Sequence, residues 1–223
     1  MKISSYIRKN IVKILNESYK WRNNELLSKK IESPPVSIAQ ILKSNFFFFL
    51  FGLGISVFVP SFFRENITTF IMTSLSIFIG LFVSILILVF DKFIQYKQRF
   101  DDEVKTNEDK LNLKPNFIRT RNFSRRFVFV LLETLIIAFV AIIFLSITLI
   151  FDESYLKDVK QYDFVLWKDI DLKSVWYCIR NLLILFSKSV IIVLLLRFCI
   201  YLFFLFSSLG EYMKGVLYDK IEI

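Results

Sequence analysis

The sequence predicts an all-α, polytopic integral membrane protein with four transmembrane helices, and three observations carry that prediction. First, 55% of the 223 residues are hydrophobic and the mean hydropathy is +0.55, against roughly 45–50% apolar content in soluble domains. Second, four apolar runs, 46–63, 67–90, 127–151 and 179–207, come close to or exceed the roughly 20 helical residues that cross a hydrocarbon core of about 30 Å. Third, basic residues crowd one side of those runs: nine in 1–45, ten in 91–126 and two from 208 onward, against Arg64 and four in 152–178. The positive-inside rule then puts both termini and the loop 91–126 in the cytoplasm and the loop 152–178 outside, in a multi-pass inner (plasma) membrane protein.

Composition also removes whole classes of chemistry. The chain has no His, so imidazole general bases, Ser-His or Cys-His nucleophile pairs and His-containing metal sites are excluded. Cys178 and Cys199 are too few for a disulfide framework and lack CxxC spacing. With 27 Phe but only 5 Gly and 4 Pro, the chain is neither collagen-like nor disordered. No catalytic set, cofactor or metal site is expected, and the chain reads as a non-enzyme.

The first 30 residues hold no apolar stretch of signal-peptide length. At about 100° per residue, Ile3, Ile7, Ile11, Ile14 and Leu15 fall within about 120° of one another, with Lys2, Lys9, Lys13, Asn16 and Lys20 opposite. The expected element is a cationic amphipathic helix. It either lies at the inner-leaflet interface against anionic lipid or packs its apolar face on the cytoplasmic ends of the bundle. Pro34 and Pro35 interrupt the helical path, and 46–63 then forms the first span, with a narrow stripe of Gly52, Ser56 and Pro60. Only Arg64, Glu65 and Asn66 separate it from the second, so the two spans make a tight hairpin.

In the second span, Thr69, Thr73, Ser76, Gly80 and Ser84 recur at spacings of 4, 3, 4 and 4, within about 80° of one face. Small residues permit close backbone approach and hydroxyls bond across helices. The stripe is therefore expected to be buried in helix contacts, within or between protomers, with the first-span stripe as one candidate partner. The alternative is a polar wall lining a water path among several copies. Past Phe90 the helix is expected to run on through 91–111 into the cytoplasm, with Phe93, Tyr96, Phe100 and Val104 along one side, until Pro115 turns the chain. Lys105 and Lys110 on that extension are the expected docking residues for a soluble, acidic cytoplasmic partner. Asp101, Asp102, Glu103, Glu108 and Asp109 around them would repel anionic lipid. Arg119, Arg121, Arg125 and Arg126 meet the membrane at the foot of the third span and are expected to contact lipid phosphates. Nucleic-acid binding is the weaker reading of these arginines, for want of a surrounding RNA- or DNA-binding fold.

Ionisable groups inside a bilayer are expensive and mark a function or a compensating partner. Glu133 lies about 9 Å into the third span and Arg197 about 15 Å into the fourth from the same side, at about 1.5 Å per residue, so an intramembrane ion pair between them is expected. Lys188 is nine residues from Arg197 and faces the opposite side of its helix. It snorkels outward or contributes a basic ring at an oligomer axis or pore. The external loop 152–178 is acidic and aromatic, with Tyr155, Tyr162, Phe164, Trp167, Trp176 and Tyr177 suited to the headgroup level.

Four spans, cytoplasmic termini, a charged central loop and no catalytic set resemble the four-span membrane subunit of Kiwa-type antiphage defence. The small membrane accessories of RNA-targeting CRISPR loci are similar in architecture. The resemblance covers the whole chain without a diagnostic motif, so it carries over no functional residue. It implies a homo-oligomer, with a tetramer as the state considered, that senses infection at the membrane and works with a soluble cytoplasmic partner. The competing expectation is an oligomeric channel or holin-like pore; it ranks second because the spans hold few polar residues.

Overall fold

The computed structural model describes residues 2–22, 38–106, 110–151, 155 and 172–218, and all regular structure among them is helical. Helix α1 covers Lys2–Arg22 and α2 covers Ile38–Phe58; a 3₁₀ turn, Pro60–Phe63, leads into α3, Glu65–Thr106. Helix α4 covers Lys110–Ile150 and α5 covers Leu172–Tyr218. The apolar parts of the last three, Glu65–Gln95, Thr120–Ile150 and Val175–Glu211, have 31, 31 and 37 residues. A bilayer core needs roughly 20. By length and composition this is a membrane protein with three helices able to cross.

The first expected span takes a different form. Its described apolar part is Asn45–Phe58, and the helix does not reach residue 63. Pro60 disfavours helical backbone at the residue before it and lacks an N–H. Val59 accordingly leaves the helix at φ −128° and ψ 67°, and the 3₁₀ turn starts at the proline. Pro115 behaves in the opposite way. It was expected to turn the chain, yet it lies in the second turn of α4, which begins at Lys110, while α3 runs unbroken to Thr106. Near a helix start a proline forfeits at most one main-chain bond and its fixed φ suits the helix. Residues 107–109, between the two helices, lie outside the described residues.

The chain divides into two compact units. One comprises Met1–Val36, Ile79–Ile136 and Cys199–Ile223; its core includes Trp21, Phe123, Phe127, Val130, Leu131 and Tyr201. The other comprises Ser37–Phe78 and Ile137–Phe198, with Phe63, Leu75, Ala141, Leu145 and Ile191 buried. In this second unit α2 packs on α5 at Gly52. A Cβ added there would stand 2.9 Å from the main-chain oxygen of Ser189, so only glycine permits that approach. Ser56, one turn on, is buried and donates to the Gly52 carbonyl at 2.7 Å. The Phe49 and Phe186 rings meet beside this contact with centroids 5.5 Å apart. Gly52 of the first-span stripe is thus packed on α5.

The stripe of α3 is not buried within the chain. Thr69, Thr73, Ser76, Gly80 and Ser84 are all exposed, and a Cβ on Gly80 would meet nothing within 4 Å. The hydroxyls of Thr73, Ser76 and Ser84 donate to the carbonyls of Thr69, Met72 and Gly80 at 2.9, 2.9 and 3.1 Å. Among the described residues no other helix covers that face. Only 11% of the most apolar stretch of α3 is buried, against 50% for α4 and 33% for α5. Helix α4 is therefore the most enclosed of the three, and it carries the residues of the site.

Candidate functional site

One face of α4 presents Asn122, Arg126, Val130 and Glu133 at spacings of 4, 4 and 3, which stacks them along a single helical stripe. All four are buried. A carboxylate and a guanidinium removed from water require compensation, and within the first unit the end of α1 and the C-terminal part of α5 provide it.

Glu133 is 4% exposed and its carboxylate meets three donors. Ser18 Oγ donates to Oε2 at 2.5 Å and Tyr201 Oη donates to Oε1 at 2.9 Å. Arg22 closes the ion pair, its Nη2 lying 3.2 Å from Oε2. The Arg22 guanidinium also stacks 4.5 Å from the Tyr201 ring centroid, a cation–π contact that strengthens as water is excluded. The three donors thus come from two helices and converge on an acid of a third.

Arg126 completes the clasp. Its Nε donates to the main-chain oxygen of Trp21 at 3.1 Å and its Nη1 pairs with Glu211 Oε2 at 3.1 Å. Trp21 sits in the last turn of α1, where four carbonyls lack helical partners, so the arginine caps α1 and complements its dipole. The Phe204 ring lies 5.7 Å from the guanidinium. Ser18 is the polar residue that makes this docking face legible. It lies four residues after Ile14 and seven after Ile11, in the middle of an otherwise apolar arc, and it is fully buried. Before its last two turns α1 is not covered in this way: Ile7, Val12 and Leu15 are exposed.

Several expected sites move. Glu133 is indeed partnered, but by Arg22 and not by Arg197, which is half-buried and takes no part in the clasp. On α5 the residue at the carboxylate is Tyr201, one turn beyond Arg197, and the cation comes from α1, outside the spans. Arg126 does not face lipid phosphates; it is buried and engaged by Trp21 and Glu211. Arg125 is exposed and Arg121 half-buried. The side chains of Arg119, Lys105 and Lys110 lie outside the described residues, as does most of the loop 152–178.

Lys188 neither snorkels nor lines an axis. It is 0% exposed, with Nζ 5.6 Å from the centroid of the Phe63 ring. Phe63 is held in place by Tyr155, whose ring centroid is 6.3 Å away and whose hydroxyl donates to Ser187 Oγ at 2.9 Å. The 3₁₀ turn is what brings Phe63 to this position, and that turn follows from Pro60. No family model, no curated protein and no solved structure matches the chain.

Proposed function

We propose that this chain is a homo-oligomeric inner-membrane sensor and scaffold subunit that holds a soluble cytoplasmic protein in prokaryotic antiviral defence. The observation that carries the reading is the clasp. An anchor needs one span, whereas here a buried carboxylate and a buried arginine fasten the end of an amphipathic helix to two others. A helix meant only to rest on lipid needs no buried ion pair. The expense makes sense for a surface that must keep its shape to be recognised. The antiviral setting rests on the architectural likeness to the Kiwa-type membrane subunit.

The outward stripe of α3 supports self-association. Its exposed Thr69, Thr73, Ser76, Gly80 and Ser84 offer a second copy close backbone approach. The same exposure is what an oligomeric pore would use, so the pore is the second reading. It ranks lower because Thr73, Ser76 and Ser84 donate to their own helix and because Lys188 is enclosed by its own chain.

The two readings separate in one experiment. Induced expression of the chain alone should leave the membrane potential of host cells unchanged, and the chain should co-purify with a soluble protein encoded beside it. Lys105→Glu with Lys110→Glu should reduce that recovery by about tenfold or more if several protomers bind together, while membrane insertion is unaltered. Depolarisation on expression would favour the pore. Recovery unchanged in this variant and in one lacking 210–223 would remove the scaffold.

A further inference from the structure

In the unit that holds the clasp, α3 and α4 leave an apolar groove of about 150 Å³ lined by Val89, Phe90, Phe93, Val128 and Phe129, with Arg125 at its wall. We infer that this groove binds one acyl chain of an anionic phospholipid whose phosphate is held by Arg125 and Arg121. The inference rests on insertion of the chain in a membrane and is independent of the scaffold reading.

Size, depth and charge each point to that occupant. An apolar cavity of about 150 Å³ is large enough for benzene, so the groove takes about six carbons of an acyl chain. Ser124 and Arg125 also line it, but its exposed walls are almost wholly carbon, which suits a hydrocarbon chain. Depth follows from the two helices that form it. On α3 the apolar run ends at Phe90 and is followed by exposed Asp91 and Lys92; on α4 Arg125 and Arg126 give way to Phe127. The groove therefore opens at the level where hydrocarbon meets headgroups.

Charge selects the headgroup. Arg126 is committed to Trp21 and Glu211. Arg125, about 100° round the helix from it, is exposed and makes no ion pair among the described residues, and Arg121 one turn earlier keeps a buried Nε with no hydrogen-bond partner. The aliphatic stem of Arg125 can line the groove while its guanidinium reaches outward, and a guanidinium pairs with phosphate in a bidentate manner. A tail in the groove with a phosphate beyond it is the shape of a phospholipid. The other lipid-facing positions, such as Phe139 and Ile143, offer exposed apolar surface but neither the groove nor the arginines.

The full chain should be reconstituted in phosphatidylcholine vesicles that contain either phosphatidylglycerol or phosphatidylcholine with a diazirine in one acyl chain, photolysed, and mapped by peptide mass spectrometry. Phosphatidylglycerol should label 89–93 and 128–129 about fivefold more than phosphatidylcholine does, the weight of about 1 kcal/mol for a basic side chain at an anionic surface. Labelling at 139–143, equal for both lipids, reports insertion itself. Arg121→Gln combined with Arg125→Gln should bring the groove labelling by the anionic lipid down to the phosphatidylcholine level. Val128→Trp should fill the groove and abolish labelling at 89–93 by both lipids, with 139–143 unchanged. Equal groove labelling by the two lipids, or labelling indifferent to both variants, would overturn the site. Loss of the cytoplasmic partner or of oligomerisation would alter none of these readouts.

Discussion

Glu133 is a buried carboxylate, and its neighbours show how its charge is compensated. Removing one partner of a buried ion pair costs about 3–5 kcal/mol, because the remaining charge is stranded. Arg22→Gln should therefore destabilise the chain by about that amount, since Ser18 and Tyr201 supply hydrogen bonds but no charge. Glu133→Gln combined with Arg22→Gln should cost less than the sum of the two single changes by about 0.5–3 kcal/mol. Reversible unfolding in detergent gives the cycle. A red shift of Trp21 emission, in a background with Trp167 and Trp176 replaced by Phe, reports release of α1. Strict additivity would mean that the 3.2 Å approach contributes no coupling. Arg197→Gln, by contrast, should add independently to Glu133→Gln. That Glu133 needed a partner was legible in the sequence, because a lone acid in an apolar run is costly wherever it sits. Which cation answered was not, because Arg22 belongs to a helix outside the spans, and sequence depth says nothing about how that helix docks. The interruption of the α1 apolar arc by Ser18 was the available signal.

At the scale of elements, two glycines that look alike in sequence have opposite consequences. Gly52→Ala would press a methyl against a main-chain oxygen at 2.9 Å, where neither helix has a flexible end to move. It should cost about 1–3 kcal/mol, as overpacking does elsewhere, and should separate α2 from α5. Gly80→Ala meets open space and removes helical backbone entropy, so it should leave the melting temperature of the isolated chain unchanged or slightly raised. Gly80→Leu should then act on self-association alone, which cross-linking in membranes measures. Loss of the monomer fold in that variant would contradict the exposure of the stripe. The prolines make the same point. Pro60 ends a helix and Pro115 does not, because the first lies at the end of its helix and the second near the beginning of its own.

For the whole molecule, orientation is the property most open to test. A cytoplasm-restricted reporter fused after Ile223 or near Asn107 should be active, and one near Gln161 inactive; the uneven division of basic residues between loops is the reason. Activity at Gln161 would invert the assignment. The division into two units adds a second expectation at this scale. Variants of the clasp should disturb Trp21 while sparing the contact of Gly52 with Ser189, and Gly52→Ala should do the reverse. Intramolecular cross-links placed across each contact in detergent-solubilised protein would show whether the two respond separately.

The sequence by itself determined the helical class, three of the four expected spans as long apolar helices and the need for compensation at Glu133. Each of these follows from quantities that sum along the chain, namely apolar length, periodicity and the cost of a buried charge. Tertiary structure alone decided which side chains meet. It gave Glu133 to Arg22, Ser18 and Tyr201, turned Arg126 inward and left Arg125 outside. It also enclosed Lys188 against Phe63 and set the α3 stripe facing away from its own chain. Periodicity places a residue on a face of its helix, but which neighbour covers that face depends on contacts between residues more than 100 positions apart, such as Ser18 and Glu133, and those are fixed only when the helices pack.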